Sequence, residues 1–115
     1  MKQKVPESAV LNSVIELLNY LHIPYARVNN TGTIIKRDGK TFFGRRKHSQ
    51  KGVADIICCY KGNGVAIEVK GSDGSLSEDQ KNWLFNWQKA GGHFIVARDA
   101  EKVSEFLRLI DQRTW

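Results

Sequence analysis

Gly52-Val53-Ala54-Asp55-Ile56-Ile57-Cys58-Cys59-Tyr60, a Gly62-Asn63-Gly64 turn, then Val65-Ala66-Ile67-Glu68-Val69-Lys70: this stretch decides the fold. Two apolar runs of strand composition around a glycine-rich turn predict a β-hairpin, with strands near 53–60 and 64–70. Strand side chains alternate faces, so Glu68 and Lys70 point one way and Val69 the other. Each polar residue interrupts a run that should otherwise be buried, and burying an unpaired carboxylate or ammonium is costly. Two resolutions are open. Asp55, Glu68 and Lys70 form an ordinary salt bridge on a solvated sheet face, or two carboxylates hold a hard cation beside a lysine. The second arrangement suits metal-assisted cleavage of a phosphodiester.

Outward from the hairpin, residues 6–22 read as a helix. Pro6 suits its first turn and Glu7 complements the helix dipole there. Val10, Leu11, Val14, Ile15, Leu18 and Leu21 recur at helical spacing. Pro24 ends the helix by disfavouring α conformation in Ile23. Tyr25–Asn29 is a short strand, and residues 33–43 form a second hairpin around Asp38-Gly39. Residues 44–52 are a basic loop. After the 71–75 loop, Ser77-Glu78-Asp79-Gln80 fits a capping box opening a helix that stops at Gly91-Gly92. His93–Ala97 is a further core strand, and a last helix spans about 100–111. The order, with the 33–43 hairpin set aside as an insertion, is αβββαβα: a mixed central sheet flanked by helices, in one domain over residues 1–115.

Two polar residues on helix faces join the candidates. At about 100° per residue, the stripe Leu11, Val14, Leu18, Leu21 extends back to Glu7, whereas Glu16 falls on the opposite, solvated face. Glu7 is then either a dipole partner or a further ligand to a metal or a water at the mouth of the site. Gln80 shares the face of Trp83, Leu84 and Trp87 in the first turn of its helix. It either only caps the helix or reaches the same polar cluster or a bound phosphate.

Composition limits the partners. The 115 residues carry 18 Lys+Arg against 12 Asp+Glu, a formal charge of +6, which implies an anionic partner. Lys36, Arg37, Lys40, Arg45, Arg46, Lys47 and Lys51 crowd one segment against the single acid Asp38, with His48 as at most an extra phosphate contact. Such a run is a solvated loop or a grip on a nucleic-acid backbone that confers affinity without reading sequence. No apolar run is long enough for a transmembrane helix, and the start Met1-Lys-Gln-Lys lacks the apolar core of a signal peptide. No amphipathic basic helix adjoins the basic run, which disfavours a membrane-surface role. Cys58 and Cys59 are adjacent and lack a zinc-spaced partner, so both read as small core residues in a reducing cytosol.

Glu7, Arg27-Val28-Asn29, Gly52-Val53-Ala54-Asp55-Ile56, Ile67-Glu68-Val69-Lys70, Leu76-Ser77-Glu78-Asp79-Gln80-Lys81-Asn82-Trp83, and Gly91-Gly92 before a strand ending at Arg98 together resemble the virus-type replication-repair nuclease (VRR-NUC) domain of the PD-(D/E)XK nuclease superfamily. The resemblance covers nearly the whole chain and departs from the pattern at Ala54, where proline often stands. It implies a restriction-endonuclease-like core and a Mg²⁺- or Mn²⁺-dependent endodeoxyribonuclease with no organic cofactor. Asp55, Glu68 and the Val69 carbonyl would bind the metal. Glu7 would hold a second metal or a metal-bound water. Lys70 would position or help deprotonate the attacking water, and Gln80 would orient the site. The resemblance also implies a stand-alone homodimeric resolvase of four-way (Holliday) DNA junctions, in the cytoplasm of a bacterial or phage-infected cell. Phe42, Phe43 and Trp115 are candidates for the dimer interface. A nonspecific or nicking nuclease would share every catalytic residue, and a non-catalytic nucleic-acid binder would bind without metal and never cut.

Overall fold

The computed structural model describes residues 3–28, 33–44 and 50–113, with 33–35, 37, 42–44 and 113 described by backbone only. Its elements are α1 (Glu7–Tyr20), β1 (Tyr25–Arg27), β2 (Thr33–Arg37), β3 (Lys40–Gly44), β4 (Ile56–Tyr60), β5 (Asn63–Val69), α2 (Glu78–Lys89), β6 (His93–Ala97) and α3 (Ala100–Arg113). Four strands form one sheet in the order β1-β4-β5-β6, while β2 and β3 pair only with each other. β1, β4 and β5 run antiparallel in turn, and β6 joins β5 in parallel. A parallel neighbour needs a crossover, and α2 supplies it. The sheet is therefore mixed and flanked by helices, with the basic hairpin as an insertion.

Alternation along β5 divides the core. Val65, Ile67 and Val69 pack with Val10, Val14 and Leu18 of α1 and Val103, Leu107 and Ile110 of α3. Ala66 faces the other way, into a smaller cluster with Ala54 and Leu84 that Trp83 and Trp87 cover. Glu68 shares Ala66's parity, so the thinner layer beneath α2 receives the polar residues.

Local chemistry explains the boundaries. Pro6 is the N-cap of α1 in extended conformation, and α1 begins at Glu7. Ser77 caps α2 with both halves of the capping box formed. Asp38 and Gly39 both have positive φ, as a two-residue hairpin turn with the favoured twist requires. The β4–β5 turn differs from the expected Gly62-Asn63-Gly64. It is Lys61-Gly62, with φ values of 48° and 81°, and Asn63 already pairs with Tyr60. Asn63 holds that turn closed, its side-chain amide donating to the Tyr60 and Lys61 carbonyls.

Two further expectations are corrected. Cys58 is buried, but Cys59 is exposed. Cys59 lies opposite Gly64, beyond the small cluster under α2. Burial, then the neighbouring Cys59, pushes the Cys58 thiol up to about 11, so Cys58 is an inert core group. Glu7 is exposed rather than core-facing, because burial along the α1 stripe is confined to its middle, at Val10, Val14 and Leu18. Leu21, at the other end of the stripe, is exposed as well. Among the described residues, no helix is long and apolar enough to cross a membrane.

Candidate active site

The antiparallel register pairs Ile56 with Ile67 and Ile57 with Ala66. One step further sets Asp55 opposite Glu68. Asp55 lies just before β4 rather than within it, as its own carbonyl accepts from Val28 N–H at 2.8 Å. Its carboxylate Oδ2 accepts from the backbone N–H of Val69 at 2.8 Å, which fixes it beside Glu68.

Glu68 is 1% exposed and Lys70 8% exposed, and they are the buried charged residues of the described chain. Gln80 joins them. Its side-chain amide donates to Glu68 Oε1 at 3.0 Å. Its carbonyl oxygen accepts from Lys70 Nζ at 3.1 Å and from the Ser77 backbone N–H at 2.9 Å. Lys70 Nζ stands 3.7 Å from Glu68 Oε1. Gln80 thus caps α2 and ties the carboxylate to the ammonium with the same side chain.

The other oxygen, Glu68 Oε2, is buried and meets no donor. An orphaned buried acceptor calls for an explanation. Burial and then the Asp55 carboxylate push the Glu68 carboxyl up to about 8, against the opposing pull of Lys70, and the Asp55 side chain shares a hydrogen bond with it. In a metal-free protein near neutral pH, the Glu68 carboxyl therefore keeps its proton. A divalent cation can take that proton's place. Two adjacent carboxylates, one with an oxygen lacking any donor, fit a hard cation such as Mg²⁺ or Mn²⁺.

Glu7 is close enough for its charge to raise the Glu68 carboxyl further. Among the described residues, no three His, Cys, Asp or Glu side chains are grouped to hold a metal. The place of Glu7 is set by the loop that leaves β5. A Cβ on Gly71 would come within 2.8 Å of Val5 O and 2.9 Å of Glu7 N, so only glycine lets the start of α1 approach so closely. Ser72 N–H donates to Val5 O at 3.0 Å, and Val5 N–H donates to Ser72 Oγ at 2.8 Å.

Sequence reasoning placed the residue that holds this loop only at a strand end and gave it no role. Arg98, just past β6, donates to Gly71 O at 2.6 Å and Gly74 O at 2.7 Å. Gly74 in turn lies against the Lys70 stem, where an added Cβ would stand 3.2 Å from Lys70 Cδ. The available signal was an arginine directly after a strand that runs parallel to β5.

Lys36, Lys40 and Lys51 are exposed, and Arg37 is described by backbone only. Arg45, Arg46, Lys47 and His48 lie outside the described residues, as do Trp115 and the side chains of Phe42 and Phe43.

A four-stranded mixed sheet with Asp55 opposite Glu68, Lys70 two residues on, and a flanking helix that supplies Gln80 is the architecture of a PD-(D/E)XK nuclease core. The VRR-NUC domain family matches residues 8–101, a span that holds Asp55, Glu68, Lys70 and Gln80 and begins just after Glu7. The chain belongs to that family, and so is a nuclease of the PD-(D/E)XK type with DNA as its substrate. No curated protein and no solved structure matches it.

Proposed function

We propose that the protein is a Mg²⁺- or Mn²⁺-dependent endodeoxyribonuclease, selective for branched DNA, that resolves four-way junctions as a homodimer. The observation that carries the metal-dependent reading is the buried Glu68 Oε2 without a donor, beside Asp55. When bound, the cation would acidify a water and neutralise charge building on the phosphate.

The chain's own residues supply the rest. Asp55 and Glu68 hold the cation, with the Val69 carbonyl as a further oxygen. Lys70, held by Gln80 at 3.1 Å, positions the attacking water and offsets the negative charge that grows on the phosphate. Gln80 keeps Glu68 Oε1 occupied at 3.0 Å, which leaves Oε2 to the cation. Glu7 orients a water at the mouth. Lys36, Arg37, Lys40, Arg45, Arg46, Lys47, His48 and Lys51 would track the DNA backbone, which favours recognition of shape over sequence.

Symmetric incision of a four-way junction needs two catalytic clusters, and a twofold homodimer would bring the second. A cytoplasmic setting belongs to the same proposal, supported by the free thiols of Cys58 and Cys59.

The test is cleavage of a labelled four-way junction beside a matched linear duplex, with Mg²⁺, Mn²⁺ or EDTA, by wild type and Glu68→Ala. Paired symmetric cuts in the junction alone, lost with EDTA and with Glu68→Ala, are expected. Equal cutting of both DNAs would discard junction selectivity. Full activity of Glu68→Ala would place the chemistry elsewhere.

A further inference from the structure

One turn along α2 from Gln80 lies a cleft of about 480 Å³ that contains none of the proposed catalytic residues. Its walls are Gln50 and Lys51 on one side and Asn82, Trp83, Asn86 and Trp87 on the other. Trp83 and Trp87 stack with ring centroids 5.2 Å apart and planes 18° apart. Both indole N–H groups are committed, Trp83 to Gln50 Oε1 at 2.8 Å and Trp87 to His93 O at 2.8 Å. The rings are thereby locked as a rigid aromatic platform. With its oxygen engaged by Trp83, Gln50 has amide donors to offer. Asn82 and Asn86 are exposed and carry both donors and acceptors. Lys51 is an exposed cation at the rim.

The cleft adjoins the turn of α2 that carries Gln80. Gly52, at φ +73°, lies so close that a Cβ would fall within 2.6 Å of Gln80 N and closer still to the Asp79 backbone. The 50–52 segment and the first turn of α2 are thus a single wall. The acid in the cleft lining, Asp79, stands next to Gln80, toward the catalytic end. Lys51 is left to meet a phosphate.

We propose that this cleft seats an unpaired nucleobase of the DNA, stacked on the Trp83–Trp87 platform and read at its edge by Gln50, Asn82 and Asn86, with Lys51 on the adjoining phosphate. Every base has a π face, so stacking is sequence-tolerant, and the amides complement base edges. The site explains a preference for branched DNA, whose junctions can release a base that continuous duplex keeps stacked. This proposal rests on DNA being the substrate, but not on catalysis.

The experiment measures binding in EDTA, so it is independent of cutting. A DNA with one unpaired 2-aminopurine at a branch point is titrated beside a fully paired duplex of equal length. Wild type should quench the unpaired 2-aminopurine and bind the branched DNA more tightly. Trp83→Leu should abolish the quench and weaken branched binding by about 5- to 150-fold, the range for losing one stacked base. Duplex affinity should change by less than about twofold. Because Trp83 also packs on the core, the exposed pair Asn82→Ala and Asn86→Ala provides a second test. Each should weaken branched binding selectively, with the thermal unfolding midpoint unchanged. No quench by wild type, or equal losses on branched and paired DNA in all three variants, would overturn the proposal. Loss of cutting with the quench retained would instead count against the catalytic reading alone.

Discussion

Replacing Glu68 by glutamine keeps the shape of the side chain and removes its charge. In the metal-free fold, burial and then Asp55 push the Glu68 carboxyl from an ordinary 4.5 up to about 8. A raised acid favours the folded state while it is protonated. Its contribution is complete below the unfolded value and is lost as pH rises to the folded one. Wild type should therefore lose stability between about pH 4.5 and 8. One unit is worth about 1.4 kcal/mol, so the climb from 4.5 to pH 7 removes on the order of 3 kcal/mol. A glutamine at 68 escapes that loss. Its carbonyl can accept from Gln80, and its NH₂ can donate to Asp55, leaving neither orphaned. Thermal unfolding followed by circular dichroism in EDTA should give nearly equal midpoints near pH 4.5. At pH 7 the Glu68→Gln midpoint should be higher by roughly 10 °C for a domain of this size. Added Mg²⁺ should raise the wild-type midpoint and leave the variant's unchanged. A variant less stable than wild type at pH 7, with the same pH profile, would refute the account of Glu68 as a strained carboxylate held for a cation.

Gln80→Ala removes a partner from Lys70, Glu68 and Ser77 together. It should cost about 1–3 kcal/mol in denaturant unfolding and most of the single-turnover cleavage rate; a variant equal to wild type in both would make Gln80 incidental. Glu7→Ala should reduce cleavage far more than Glu16→Ala, and the reverse ranking would remove Glu7 from the site. Arg98→Ala frees the 71–74 loop, so the cleavage rate at saturating DNA should fall at least about tenfold, one pKa unit's worth of barrier, with little change in DNA affinity. Changed affinity at constant rate would reassign Arg98 to DNA contact. Neutralising Lys36, Lys40 and Lys51 together should flatten the salt dependence of binding by up to about three log units per decade of salt, as read by titrations at several salt concentrations. An unchanged slope would take the three off the DNA surface.

Short-range patterns carried most of the fold. Ser77 and Gln80 announce the start of α2, because a capping box is complete within four residues. Asp38-Gly39 announces its hairpin because both residues tolerate positive φ. The β4–β5 turn was misplaced for the opposite reason. Lys61 takes a positive φ that lysine rarely adopts, and the Asn63 side chain that holds the turn gives no pattern in sequence. In the site, the parity of Glu68 and Lys70 follows from strand alternation, and the shared face of Gln80 from helical spacing. The exposure of Glu7 was not legible, since periodicity gives a face and not how far the packing beneath it extends. Arg98 and the Gln50–Trp83 contact join residues 27 and 33 positions apart, and nothing local encodes such pairs.

Gln80 has one side chain for two tasks, and this gives the enzyme a built-in interlock. The hydrogen bond that closes the first turn of α2 and the bonds that hold Glu68 and Lys70 come from the same amide. A chain still emerging or partly unwound at residues 77–80 leaves its carboxylate and ammonium unaligned. Under the proposed mechanism, cutting is withheld until the helix has locked, and local fraying disarms the site before the domain as a whole unfolds. For a protein that acts on DNA, that coupling would confine cutting to correctly finished molecules.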